Sequence, residues 1–386
     1  MVYSYYMPSK LIIGEGSLKK LHEQNLPFKK ALIVMTNGKS LEKNGYLDIL
    51  INELTSSSIS YVLFQEVMPN PTHDNVMKGS NIAHENNCDF IIGFGGGSAI
   101  DCAKAIAIMV TNPGEYWDYI KNGSGLGKPL VNKPLPLIAI TSTAGTGTES
   151  DPRMVVTKND EKIGYGNDLT YPYLSIVDPS LTYTIPPHLT AYQGFDALFH
   201  SLEGYVNKHH NDMSDIFAEK AISLLFKYLP IAVKEPNNVE ARHFVSLANT
   251  LSGINESTSG CTGEHAIEHA LSGLNPQLIH GKGLIIISLA YYQTLLKNEI
   301  ALDRFSKLVE LISPKNPAKP QYFLQLLEKL QEDCGVNNLK LRDEGFSENQ
   351  FEYIAKQTFY TMKGCMDDDP YDWAIDDVIN VLKESF

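Results

Sequence analysis

No stretch of this chain is dense in Lys and Arg, and its net charge is −13. A surface of that sign repels phosphate backbones and anionic lipid, so neither nucleic acid nor a membrane is expected as a partner. Met1–Lys10 has no basic leader followed by an apolar core, so the start does not read as a secretory signal. Long apolar runs are missing too: the longest, Leu284 to Tyr292, is broken by Ser288 and falls far short of the roughly 20 residues that span a bilayer. The five cysteines, Cys88, Cys102, Cys261, Cys334 and Cys365, are odd in number, widely spaced and never form CxxC. That excludes a zinc ribbon and a paired disulfide framework, and fits reduced thiols in a cytoplasm. Internal repeats, low-complexity tracts and a GxGxxG fingerprint are also absent.

What is there is a soluble, globular balance, 43% apolar and 20% charged, over 386 residues, enough for two domains. Leu11 to Ile13 reads as a strand leading into a helix over Leu18–His22. Ala31–Met35 is a continuous apolar run of the kind found in buried parallel strands, and Ser60–Phe64, Asp89–Phe94, Leu137–Ile140 and Ser175–Val177 follow as further strands. Helices fall between them, over about Asp74–Asn86 and Ala99–Ala107. Past Pro186-Pro187 the pattern turns helical almost throughout: Thr190–Val206, Ile216–Tyr228, Val239–Ser252, Glu264–Leu271, Gly283–Lys297 and two or three more to Phe386. Ser347 to Gln350 is a capping box opening one of these, and Asp367–Asp369 reads as a solvated loop or helix cap. The expected architecture is an α/β nucleotide-binding domain over 1–187 and an all-helical metal-binding domain over 188–386.

Two loops in the first half carry chemistry. Gly95-Gly96-Gly97-Ser98 joins the best strand to a strong helix, and free amides at a helix start, approached closely through glycines, make an anion site. Thr141–Glu149, after the strand at Leu137, is a run of hydroxyls and glycines that can donate to phosphate or ribose. Both lie at the carboxyl ends of strands, where an open α/β sheet binds its ligand.

In the second half Asp196 and His200 stand four apart, as do His265 and His269, and His280 precedes Gly281. Residues at i and i+4 share a helix face, so each pair points two donors into one space, and an acid and an imidazole on an otherwise apolar turn are expensive to bury without a partner. Spacing alone does not separate His265 from His269. One carboxylate with imidazoles and no thiolate suits Fe(II), Zn(II), Mn(II) or Co(II).

These motifs resemble the iron-containing alcohol dehydrogenase family, along most of the chain. The resemblance implies an architecture like that of dehydroquinate synthase, with metal ligands Asp196, His200, His265 and His280, and with His269 beside a nicotinamide, where it is the candidate proton relay. It implies iron as the metal, with zinc also possible, a small alcohol or aldehyde as substrate, and a homodimer. It assigns Gly95, Gly96, Gly97, Ser98 and Asp101 to the cofactor pyrophosphate. It makes Ser142, Thr143 and Thr146 part of a second nucleotide loop, sets Asn70 in a loop near the cofactor and gives Lys162 to the ribose. The loop after Met35 holds Asn37, Lys39 and Ser40 and no acid, donors fit for a 2′-phosphate, so NADP(H) is expected over NAD(H). Thr141 replaces the usual Pro, Asp151-Pro152 is uncommon, and Asp369-Pro370-Tyr371 stands where the family often has Asn-Pro-Arg. The alternatives are a zinc enzyme of the glycerol dehydrogenase type, with fewer protein ligands, and a nucleotide- or metal-binding protein without catalysis.

Overall fold

The computed structural model describes residues 2–386. The chain forms two compact units. One comprises Met7–Lys158 and Ile163–Thr184; the other comprises Ile185–Phe386, the segment Asn159–Lys162 and the residues up to Tyr6.

The first unit is built on a six-stranded sheet. Its strands are β1 (Lys10–Ile13), β2 (Lys30–Thr36), β3 (Ser60–Val67), β4 (Phe90–Gly95), β5 (Leu137–Thr141) and β8 (Leu174–Val177), in the order β1-β8-β5-β4-β2-β3. Every pairing is parallel. The continuous apolar runs follow from burial on both faces. In β2, Leu32 and Val34 enter one core with Phe64, Val76 and Ile106, while Ala31, Ile33 and Met35 enter the other with Leu50, Phe90 and Ile176. Helices α1 (Ser40–Lys43), α2 (Tyr46–Ser56), α3 (His73–Glu85) and α4 (Gly97–Thr111) connect the strands. From β2 the chain moves outward to β3 and then returns across to β4, so the winding reverses between β2 and β4. Because all strands run one way, the loops after β2, β3, β4 and β5 gather at one edge.

Two features differ from the sequence expectation. Leu18–His22 is not an α-helix but part of two short 3₁₀ turns, Ser17–Lys20 and His22–Gln24, confined between left-handed Gly16 (φ 78°) and Asn25 (φ 50°). A hairpin of β6 (Arg153–Lys158) and β7 (Glu161–Gly166), turning at left-handed Asn159 (φ 57°), fills a stretch where the sequence showed no strand.

The second unit packs α5 (Pro187–Val206), α6 (Asp212–Lys234), α7 (Val239–Ser259), α8 (Gly263–Leu274) and α9 (His280–Lys297), followed by α10 (Leu302–Ile312), α11 (Tyr322–Asp333), α12 (Phe351–Thr361), α13 (Lys363–Asp368) and α14 (Ile375–Glu384). Helix α5 opens with Pro187 at its first position and is buried from Thr190 to Val206 apart from Gln193, as befits a central helix covered on all sides. The box at Ser347 forms, as a 3₁₀ turn running into α12. Of the two readings the sequence left for Asp369, a solvated loop or a helix cap, burial excludes the first. Asp369 accepts from the Gly263 amide and the Tyr291 hydroxyl, and so caps α8 from a distant part of the chain. Among the described residues no helix is long and apolar enough to cross a membrane. Among the described residues no cysteine is joined in a disulfide.

Candidate functional site

In the helical unit, α5 presents Asp196, His200 and Glu203 on one stripe, α8 presents His265, Glu268 and His269, and α9 begins with His280. The close approach of α9 to α5 depends on Gly281, where a β-carbon would lie 2.0 Å from the Tyr192 carbonyl oxygen. At Gly194 a β-carbon would strike Leu229 of α6. Asn255 of α7 donates to the His200 carbonyl and fixes the same helix from its other side.

The result is a convergence on one atom. Asp196 Oδ1 lies 3.3 Å from His200 Nδ1, 3.5 Å from His265 Nε2 and 3.5 Å from His280 Nε2. Donors about 2.1 Å from a shared ion at tetrahedral angles stand about 3.4 Å apart, which each of these three distances to Asp196 matches, and Asp196, His265 and His280 offer ligand atoms that all lie within 4.8 Å of one another. Among the described residues, Asp196 Oδ1 and His265 Nε2 are buried without a hydrogen bond, an arrangement that is costly unless something else is bound there. Burial would raise the Asp196 pKa, but the imidazoles of His200, His280 and His265 hold it at about 2.

Two carboxylates missed by the sequence analysis set the tautomers. Glu203 accepts from His265 Nδ1, from the Thr262 amide and from the Thr262 hydroxyl at 2.8 Å. Glu268 accepts from His280 Nδ1 and pairs with Lys162 Nζ at 3.3 Å. With Nδ1–H engaged outward, each ring turns Nε2 toward Asp196, the carboxylate–histidine arrangement that orients metal ligands. The sequence signal was available: Glu203 lies two turns from Asp196 on its stripe, and Glu268 one turn from His265, both in apolar surroundings.

The His269 ring centroid lies 5.4 Å from that of His280 and 6.5 Å from that of His265, and Nδ1 is buried without a hydrogen-bond partner among the described residues. Burial, then the Lys162 ammonium, push its pKa far below the ordinary range, so the ring is neutral. Lys162 is buried, with its ammonium on Ser272 (2.7 Å) and Glu268.

In the α/β unit, Gly95 (φ 151°) and Gly97 shape the turn into α4; a β-carbon on Gly97 would lie 2.5 Å from the Thr146 methyl. Helix α4 starts without a side-chain cap and without an acid in its first turn, leaving amides and a positive dipole end for an anion. Ser98 Oγ donates to the Pro69 carbonyl, which seats the Asn70 loop on this turn, and the Ser142 amide donates to the Gly95 carbonyl at 2.8 Å. Thr143 packs on Gly96. Asn37 and Ser40 lie exposed just past β2, at the same edge. Asp101 points away from the loop surface: its oxygens accept from the Thr148 hydroxyl (2.7 Å) and the Val155 amide (2.9 Å). Lys104 is buried on the Thr148, Asp151 and Arg153 carbonyls, the Thr148 hydroxyl and the Asp151 carboxylate.

Burial raises the Asp101 pKa from 3.8 to about 6, despite Lys104 and Thr148. A carboxyl raised in the folded state favours folding below its unfolded value, and that advantage is lost as pH climbs through about 6. Two units are worth about 3 kcal/mol. Asp101→Asn is therefore expected to gain about 3 kcal/mol relative to the parent between pH 4 and pH 7, measured by denaturant unfolding across that range; a constant difference would refute the assignment.

Comparison with known proteins gives a consistent picture. The model of iron-containing alcohol dehydrogenases matches residues 8–179, and that of their C-terminal part matches residues 190–386. The chain is 29% identical to the NAD-dependent methanol dehydrogenase of Bacillus methanolicus, over 99% of each protein. It is 29% identical to the NADH-dependent butanol dehydrogenase A of Clostridium acetobutylicum, over 100% of this chain and 99% of that one. The crystal structure of an archaeal halo-thermophilic alcohol dehydrogenase from a Red Sea brine pool superposes with a TM-score of 0.95 at 30% identity, covering 100% and 99% of the two chains.

Proposed function

The chain belongs to the iron-containing alcohol dehydrogenase family, and from that premise we propose that it interconverts small alcohols and aldehydes using an ion held by Asp196, His200, His265 and His280 and NADP(H) held by the loops of the α/β unit. The observation that carries this reading is the meeting of three imidazole nitrogens on one ionised, buried carboxylate oxygen. The donor set, one oxygen and three nitrogens, fits Fe(II). Bound by these four residues, the ion would supply Lewis-acid polarisation of the substrate oxygen, and a nicotinamide held by the loops of the α/β unit would supply the hydride chemistry.

The protein's own groups do the rest. Glu203 and Glu268 hold His265 and His280 in the tautomer that turns Nε2 inward and strengthen them as donors. The His269 ring, beside His265 and His280 and with Nδ1 uncommitted among the described residues, is the group placed to relay the proton of the alcohol away from the site and to return it in the reverse direction. The amides that open α4 hold the pyrophosphate, flanked by Asn70, Ser142, Thr143 and Thr146. Asp101 acts through Thr148 and Lys104 through the 148–153 carbonyls, keeping the second loop against the first. Lys162 secures Glu268.

The preference for NADP(H) rests on the exposed loop after β2. Residues 36–41 contain no acid, and Lys39, over half exposed, is shared between Glu42 and Gln65, from which it can turn to a 2′-phosphate. The relatives named above as NAD- or NADH-dependent set the contrary expectation. Iron-loaded protein should reduce small aldehydes with a higher kcat/KM for NADPH than for NADH, and Lys39→Ala should lower the NADPH value by about tenfold with little change for NADH. A preference for NADH would overturn the cofactor assignment, and no turnover of any alcohol or aldehyde with either nicotinamide would overturn the activity.

A further inference from the structure

We propose that Cys261 forms, with His200 and His265, a second cation position that takes a soft divalent ion such as Cd2+ or Zn2+ and overlaps the one at Asp196. The proposal deepens the reading above and rests on it.

Cys261 lies in the turn Gly260–Thr262 between α7 and α8. Its Sγ, a ring nitrogen of His200 and a ring nitrogen of His265 lie within 4.8 Å of one another, and all three residues are buried. Asp196, His265 and His280 form a separate group within the same limit. His265 belongs to both groups, and His200 also stands 3.3 Å from Asp196, so the two positions draw on the same imidazoles and compete for them. They differ in one donor, oxygen in one and sulfur in the other. A carboxylate favours a hard ion such as Fe(II), and a thiolate favours zinc and its softer congeners.

The turn is held in place before any ion arrives. Asn207 Nδ2 donates to the Gly260 and Cys261 carbonyls, both at 3.4 Å, and the Thr262 amide donates to Glu203. Sulfur is thus presented to the histidines without backbone rearrangement, and the buried His265 Nε2 makes no hydrogen bond among the described residues. On binding, the S–H bond breaks, a sulfur–metal bond forms and the proton passes to solvent; nothing is oxidised or reduced. Soft ions would then displace iron by capturing its histidines, which makes Cys261 the residue through which this site discriminates among metals.

The test is a Cd2+ titration of the metal-free full chain, following the ultraviolet thiolate-to-metal charge-transfer absorbance, in the parent, Cys261→Ser, Cys261→Ala and His280→Ala, with circular dichroism confirming that each is folded. The parent and His280→Ala should show the band. Both Cys261 variants should lack it and bind Cd2+ on the order of 100-fold more weakly, at least what loss of an outer partner costs. An unchanged band and affinity in Cys261→Ser, or loss of the band in folded His280→Ala, would overturn the proposal. Iron-loaded parent is assayed for alcohol oxidation in parallel. Activity without the band removes the thiolate position alone, whereas a band in protein inactive on every alcohol leaves that position standing and removes the dehydrogenase reading.

Discussion

His200→Ala and His280→Ala, each purified from iron-supplemented cells, are expected to retain their fold, lose bound iron and fall in kcat/KM by about a thousandfold or more. Lewis-acid stabilisation of the reacting oxygen contributes several kcal/mol, and about 4 kcal/mol corresponds to a factor of a thousand. The two residues come from different helices, α5 and α9, and meet only at Asp196, so a shared loss of metal would be hard to attribute to damage in either helix alone. His269→Ala provides the contrast: its ring lies beside the cluster, and it should keep iron while losing activity. His209→Ala, at an exposed histidine paired with Asp368, should leave both unchanged. Metal analysis beside steady-state kinetics gives the answer. Full turnover and full iron content in both His200→Ala and His280→Ala would dismiss the cluster as the metal centre.

The second large effect is expected in the α/β unit. Lys104→Met should destabilise it by about 3–5 kcal/mol, the usual consequence of removing one partner from a buried ion pair. The Lys104 side chain is fully buried and its ammonium faces the Asp151 carboxylate at 3.1 Å, two further oxygens of Thr148, and the carbonyls of Asp151 and Arg153. Methionine fills similar volume but leaves those acceptors without a donor. Trp117 belongs to this unit and Trp373 to the other, so in a Trp373→Phe background tryptophan fluorescence during urea unfolding reports on the α/β unit. Because the same ammonium pins the loop beside Thr146, KM for the cofactor should rise as well. A change under about 1 kcal/mol would show that the network adds little to stability.

The readability of this chain follows the range of its interactions. Ala31–Met35 and Phe90–Phe94 were legible as strands because a parallel strand covered on both faces must be apolar throughout. The order β1-β8-β5-β4-β2-β3 was not, since it is set by pairings between residues such as Leu11 and Ser175, far apart in sequence. The hairpin β6–β7 carries charge at both ends of β6 and at the start of β7, and lacked the apolar run that reveals the others. Asp369 looked like surface because three consecutive aspartates usually are; its burial depends on a hydrogen bond to Gly263, more than a hundred residues away. At the site, helical spacing showed that Asp196 and His200 share a face. It said nothing of which α8 histidine turns toward them, because that depends on how α8 packs on α5. In the structure it is His265, its Nε2 3.5 Å from Asp196. Glu203 and Glu268 were overlooked for the same reason, since their partners lie on other turns and other helices.

Gly281 makes two parts of the chain meet without a spacer. With hydrogen in place of a side chain, the first turn of α9 rests directly on the Tyr192 peptide of α5, and His280, one residue earlier, is carried inward by that contact. Add a single methyl group and the two helices must part, taking His280 away from Asp196 while both keep every donor atom they had. The grip on an ion is therefore set as much by a missing carbon as by the four side chains that would hold it.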